Sequence, residues 1–191
     1  MLKNDKYEVV IGLEIHAQLN TNSKAFCSDE VAFGESPNTL VSPISLGHPG
    51  TLPVHNKEAI NMAIMLGLAC NCDIREYNTY DRKNYFYADL PKGYQITQMG
   101  TPICDHGGVE ITLPDGSNKM INLTRIHMEE DTGKGIHDLD IANTLMDYNR
   151  AGTALVEIVT EPDFRSGDEA YAFLSEVRKL VRYLGVCDGN M

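Results

Sequence analysis

Residues 9–19 (VVIGLEIHAQL) alternate so regularly that they limit what the chain can fold into. Val9, Ile11, Leu13, Ile15, Ala17 and Leu19 fall on one face, and Val10, Gly12, Glu14, His16 and Gln18 on the other. A period of two specifies a strand with one apolar side, not an amphipathic helix. The consequence is chemical as well as structural: Glu14 and His16 project from the same face, two residues apart.

Elsewhere the period changes. Residues 57–68 place Ile60, Ala63, Ile64, Gly67 and Leu68 at helical spacing. A second helix is expected after Ser166-Gly-Asp-Glu169, which reads as a capping box. Ala170, Phe173, Leu174, Val177, Leu180, Val181 and Leu184 form its apolar stripe, and Gly185 follows its end. Residues 109–113 and 120–126 read as strands joined through Pro114-Asp115-Gly116, and 154–160 (ALVEIVT) as a strand stopped by Pro162. Strands outnumber helices without a regular βαβ alternation, which predicts an α+β fold: a mostly antiparallel sheet with flanking helices. Residues 20–56 are rich in Gly and Pro without periodicity and are expected to form an extended loop. No repeat or linker divides the chain. Its last residues follow the second helix directly, with no polar tail, so the chain is expected to be cut rather than finished.

With 42% hydrophobic residues, the 191-residue chain can bury a sizeable core. A net charge of −11 excludes a protein that coats nucleic acid by charge alone, but leaves room for a local basic patch. No apolar run is long enough to span a membrane, and MLKNDKYEVV lacks a signal-peptide core, so a cytoplasmic location is expected. The five cysteines (Cys27, Cys70, Cys72, Cys104, Cys187) are then expected as free thiols.

Four segments carry candidate chemistry. Glu14 and His16 are either a solvated polar face or two ligands on a rigid strand. His127-Met-Glu-Glu-Asp131 is either a solvated acidic turn or a cation site. Hard cations take carboxylate oxygens, and Gly133 and Gly135 permit close backbone approach. Residues 77–94 set Arg82, Lys83 and Lys92 among six aromatics. This is either an aromatic strand packed on the sheet, or a set of cationic donors for phosphate or carboxylate. In Asp147-Tyr-Asn-Arg-Ala-Gly152, Arg150 can clamp an anion or pair with Asp147 or Glu157. Glu157 alternates out of phase with Val156 and Ile158, onto the polar face.

Taken together, VIGLEIHAQL (10–19), PNT (37–39), PGTLPVHN (49–56), DRKNYFYADLPKGYQI (81–96), RIHMEEDTGK (125–134) and DYNRAGTALVEIVTEPD (147–163) closely resemble the B subunits of glutamyl/aspartyl-tRNA amidotransferases. The resemblance implies a glutamine-synthetase-like cradle domain, here truncated before the rest of the cradle and the helical and tRNA-binding tail domains. It implies a carbon–nitrogen ligase with glutamine as amide donor. Such an enzyme uses ATP and Mg2+ to phosphorylate the carboxylate of Glu-tRNA(Gln) or Asp-tRNA(Asn). Ammonia comes from an amidase (glutaminase) A subunit, and a small C subunit completes the assembly. By matching positions, Glu14, His16, Glu129 and Glu130 are the expected catalytic and metal residues, with Asp131 a weaker candidate. Lys83, Tyr85, Lys92 and Glu130 are expected along the ammonia route, and Arg82 and Arg150 are possible anion-binding groups.

The sequence departs from the family pattern at a zinc knuckle, of which only Cys27 remains; Asp29, Ser42 and Ser45 stand at the other ligand positions. One thiolate cannot hold a structural zinc, so no zinc is expected and the loop must be ordered by packing. Ala154 stands where the family has proline, which loosens a turn and removes no chemistry. Two other functional classes compete. One is an RNA-binding module stacking bases on residues 77–94; the other is a free-standing synthetase making amides of small substrates.

Overall fold

The computed structural model describes residues 6–190; the reading of the extreme amino terminus therefore lies in part outside the described residues. The elements are, in chain order, β1 (Glu14–Gln18), α1 (Lys57–Ala69), β2 (Asp73–Ile74), β3 (Asp81–Asn84), β4 (Tyr94–Thr97), β5 (Cys104–Asp105), β6 (Gly108–Thr112), β7 (Asn118–Glu130), β8 (Lys134–Ile136), β9 (Leu145–Asp147), β10 (Ala154–Thr160) and α2 (Gly167–Tyr183). The architecture is the α+β fold expected, with every strand pair antiparallel. The main sheet runs β1-β10-β7-β5-β2, with β6 added to the long strand β7 as a hairpin. Two small ribbons, β3-β4 and β8-β9, stand apart from it. No helix among the described residues is long and apolar enough to cross a membrane.

The alternation of residues 11–19 survives folding: Ala17 and Leu19 are buried, while Gly12, Glu14, His16 and Gln18 are exposed. The ladder itself is shorter than the pattern. Val9 and Val10 are both exposed, and Ile11 makes only an isolated bridge to Phe164. The core face continues across the sheet through Val156 and Ile158 of β10 and Ile126 and Met128 of β7.

Helix α1 starts at Asn56, whose side chain accepts from the backbone N–H groups of Glu58 (2.9 Å) and Ala59. Its buried side is Ala59, Ala63, Leu66 and Gly67, so the helix is rotated from the phase expected and Leu68 is left 61% exposed. The small residues decide this, because a Cβ at Gly67 would collide with Cys104 and Ile74. Helix α2 follows the expected stripe, burying Phe173, Val177 and Val181. Ser166 caps it by accepting from Glu169 N at 3.2 Å. The Glu169 carboxylate, however, accepts from Arg165 N and Lys119 Nζ instead of closing the box on Ser166.

Residues 20–56 form no regular element, as expected, but apolar packing alone does not order them. The Lys24 side chain is fully buried; its ammonium donates to Leu40 O at 2.7 Å and lies 3.9 Å from Asp29 Oδ2. Asp29 Oδ2 also accepts from Ser45 Oγ at 2.6 Å, and Ser45 Oγ accepts from Ser42 N at 3.0 Å. The residues expected to replace the zinc ligands thus belong to a polar clip closed around a lysine. Desolvation lowers the Lys24 pKa, against the pull of Asp29.

Candidate functional site

Three strands lay down a polar grid on the face away from the core. The register opposes His16 to Glu157 and Glu157 to His127, forming one row across β1, β10 and β7. One step along the strands, Gln18, Leu155 and Glu129 form the next row. His16 Nε2 lies 3.8 Å from Glu129 Oε1 and 3.6 Å from Glu157 Oε2. His127 Nε2 approaches the same two oxygens at 3.1 and 3.2 Å. Ligand atoms of His16, Glu129 and Glu157 all lie within 4.8 Å of one another, close enough to hold a metal ion.

The environment is unequal. His16 is half-exposed, whereas Glu129 is 1% exposed and His127 is buried. Glu129 Oε2 is buried without a hydrogen-bond partner. Such a group costs roughly 1–3 kcal/mol, more when charged, unless something binds it. Contact with Glu129 raises the His16 pKa, opposed by partial burial and helped by Glu157 and Asp131. Burial works to lower the His127 pKa, but its bonds to Glu129 and Glu157 outweigh it and the net shift is upward. Burial likewise opposes charge on Glu129, yet His127 and His16 hold its pKa well below the ordinary range.

Glu130 belongs to a different place. Consecutive strand residues face opposite ways, so Glu130 continues the core row of Ile126 and Met128 while Glu129 continues the polar row. Its two oxygens accept from the Lys92 ammonium, and Oε1 also accepts from Ile96 N at 2.9 Å. Both side chains are nearly inaccessible. The pair lines a small cleft with Phe26, Cys27, Ser45 and Gly152. Of the four residues expected in one ligand set, the structure gathers His16 and Glu129. It leaves Glu14 one register step away, opposite Val159, and turns Glu130 to the other side of the sheet. Glu157 and His127, not among the four, complete the cluster.

The remaining candidates surround these two faces. Asp131, just past β7, has its pKa raised by burial against the pull of Arg150. Arg150 pairs with neither Asp147 nor Glu157: it lies 3.4 Å from Asp131 and donates to the carbonyls of Thr132 and Gly133 at 3.0 and 2.7 Å. Arg82 stacks 4.6 Å from the Tyr94 ring centre, and Lys83 lies 5.9 Å from that of Tyr85. Burial raises the Tyr85 pKa, and the negative charges of Asp89, Glu129, Glu130 and Asp131 add to the effect. The five cysteines are free.

Fold and cluster together define an α+β protein with an acid–histidine site on an antiparallel sheet. Residues 9–191 match the family model described as the GatB/GatE catalytic domain, and the chain belongs to that family. It is 56% identical over 186 residues to the B subunit of the aspartyl/glutamyl-tRNA(Asn/Gln) amidotransferase of Pseudomonas fluorescens. It is 53% identical over 191 residues to the B subunit of the same name from Synechococcus, and 55% identical over 186 to that from Syntrophotalea carbinolica. Each match covers 97% of this chain, but only 38–39% of the relative.

Proposed function

We propose that this chain carries the carboxylate-activating site of a tRNA-dependent amidotransferase, converting Glu-tRNA(Gln) to Gln-tRNA(Gln), Asp-tRNA(Asn) to Asn-tRNA(Asn), or both. ATP phosphorylates the side-chain carboxylate, and ammonia from a glutaminase partner, the A subunit, displaces phosphate; a small C subunit joins the assembly. The observation that carries this reading is the orphan oxygen of Glu129, held in a buried cluster that opens to solvent through His16.

The donor set fits a divalent cation, with two carboxylates and one imidazole converging and one buried oxygen still unsatisfied. His16, Glu129 and Glu157 would hold Mg2+. The ion would supply positive charge to phosphate oxygens during transfer. The protein's own part is positioning: β1, β10 and β7 fix the ligands on rigid strands, and burial keeps competing water away from Glu129. Arg82, exposed on β3, is the freer of the two cationic candidates, since Arg150 is committed to residues 131–133.

Lys83, Tyr85, Lys92 and Glu130 are assigned to the route for ammonia, of which Lys92 and Glu130 line a cleft on the core side of β7. A neutral amine both donates and accepts hydrogen bonds, and a phenol such as that of Tyr85 can answer both. The test uses the full natural chain assembled with its partner subunits, supplied with glutamine, ATP, Mg2+ and either misacylated tRNA. Gln-tRNA or Asn-tRNA is the expected product, and its absence with both substrates sinks the reading. Lys83→Ala should slow glutamine-driven amidation while leaving amidation by free ammonia in place. Equal loss of both removes Lys83 from the route.

A further inference from the structure

We propose that half-buried Arg125 and buried His127 form a strut that aims the carboxylates of Glu129 and Glu157 toward His16, without either residue binding the cation. This rests on the reading of His16, Glu129 and Glu157 as a divalent-cation site, and concerns how that site is held open for its ligand.

The geometry gives His127 a different task from His16. Both imidazoles meet the same two carboxylate oxygens, but His16 does so at 3.8 and 3.6 Å from the solvent side. His127 does so at 3.1 and 3.2 Å from a position 3% exposed. Its other nitrogen, Nδ1, accepts from Arg125 Nε at 3.3 Å. A guanidinium is always a donor and never an acceptor, so this contact requires a lone pair on Nδ1. The ring hydrogen therefore sits on Nε2, which points between Glu129 Oε1 and Glu157 Oε2. A nitrogen bearing that hydrogen cannot ligate a metal. It donates to Glu129 Oε1, lies 3.2 Å from Glu157 Oε2, and so sets the spacing of the two oxygens against mutual repulsion.

Strand periodicity makes the strut stiff. Arg125, His127 and Glu129 are alternate residues of β7 and share one face of the central ladder, where β10 backs them. Glu157, opposite His127, arrives from β10. The line from Arg125 through His127 to the two carboxylates is the outer support that binding groups need in order to keep their lone pairs directed. With both Oε1 of Glu129 and Oε2 of Glu157 held from behind, the unpartnered Oε2 of Glu129 is the atom left for a ligand.

The experiment titrates Mn2+ into the full natural chain with its partner subunits, reading free Mn2+ by electron paramagnetic resonance and bound Mn2+ by water-proton relaxation. His16→Ala calibrates the site and should abolish tight binding. His127→Leu, which removes the donor, should weaken Mn2+ affinity by roughly 10–100-fold, the usual effect of losing an outer-shell partner. His127→Gln returns an N–H donor and should restore affinity to within roughly threefold of the natural protein. Equal affinity in His127→Leu and the natural protein overturns the strut while leaving the cation site intact. Mn2+ binding indifferent to His16→Ala overturns the cation site, and the strut with it. If His127→Leu does not fold, His127→Gln decides alone: a loss of tenfold or more shows that a donor at this position is not enough, and overturns the assignment.

Discussion

Glu129 and Glu130 are neighbours in sequence, both buried and both at the end of one strand, yet they are in opposite chemical states. Glu130 is closed: its oxygens are taken by Lys92 and Ile96 N, and it sits in the row of core side chains. Glu129 is open: histidines approach one oxygen, and the other has no partner. A buried carboxylate with every lone pair satisfied is a structural member, whereas one left unsatisfied is a place for a ligand. The strand's period of two puts a joint and a site back to back, one residue apart.

The comparison breaks most visibly on the closed side. Lys92→Met removes the ammonium that Glu130 accepts from and leaves a buried charge uncompensated, which should cost about 3–5 kcal/mol. Urea or thermal unfolding measures it. A loss below about 1 kcal/mol means that Glu130 is not held as a closed pair. The open side should respond to ligand instead. Mg2+ at a hundredfold its dissociation constant should add about 2.7 kcal/mol of stability, and a chelator should remove it. That increment should vanish in Glu157→Gln and persist in Glu130→Gln, whatever the latter does to baseline stability. Its loss in Glu130→Gln would merge the two faces into one site.

Much of this arrangement is legible in the sequence, and what is not has a physical cause. The phase of residues 11–19, the hairpin at Pro114-Asp115-Gly116 and the stripe of α2 are local patterns, and the fold keeps them. The separation of Glu129 from Glu130 follows from parity alone once β7 is known to run to residue 130. Read as an acidic turn, HMEED hides it. The pairing of Glu157 with His16 and His127 depends on the register of β1 with β10 and of β10 with β7, which joins residues far apart in the chain. The polar face of Glu157 can be read from its alternation; its partners cannot. The same holds for Lys24, whose burial depends on the Leu40 carbonyl and on Asp29.

Gly152 tests how tightly the closed face is built. Its φ of +87° suits glycine, and a Cβ there would come within 3.3 Å of Lys24 Cδ and 3.8 Å of Glu130 Oε2. Gly152→Ala should cost about 1–3 kcal/mol, chiefly from the backbone conformation. Because Gly152 N donates to Asp131 O, the strain should also reach the end of β7. Mg2+-linked stabilisation should nevertheless survive. If Gly152→Ala abolishes it, the two faces are mechanically coupled through residue 131.

The smallest effect is expected on the rim of the closed face. Tyr94 is flanked by Arg82 at 4.6 Å and Lys92 at 5.5 Å, so two cations share one ring. Arg82 is exposed, and an exposed cation over an aromatic face contributes about 0.5–1 kcal/mol. Arg82→Ala should lower stability by no more than that, in contrast to Lys92→Met at the same ring, because of the two Lys92 alone pairs with a buried carboxylate. A loss comparable to that of Lys92→Met would mean that the ring transmits the Arg82 contact to the buried pair. The closed face would then extend to the surface of the β3-β4 ribbon, instead of ending at Lys92.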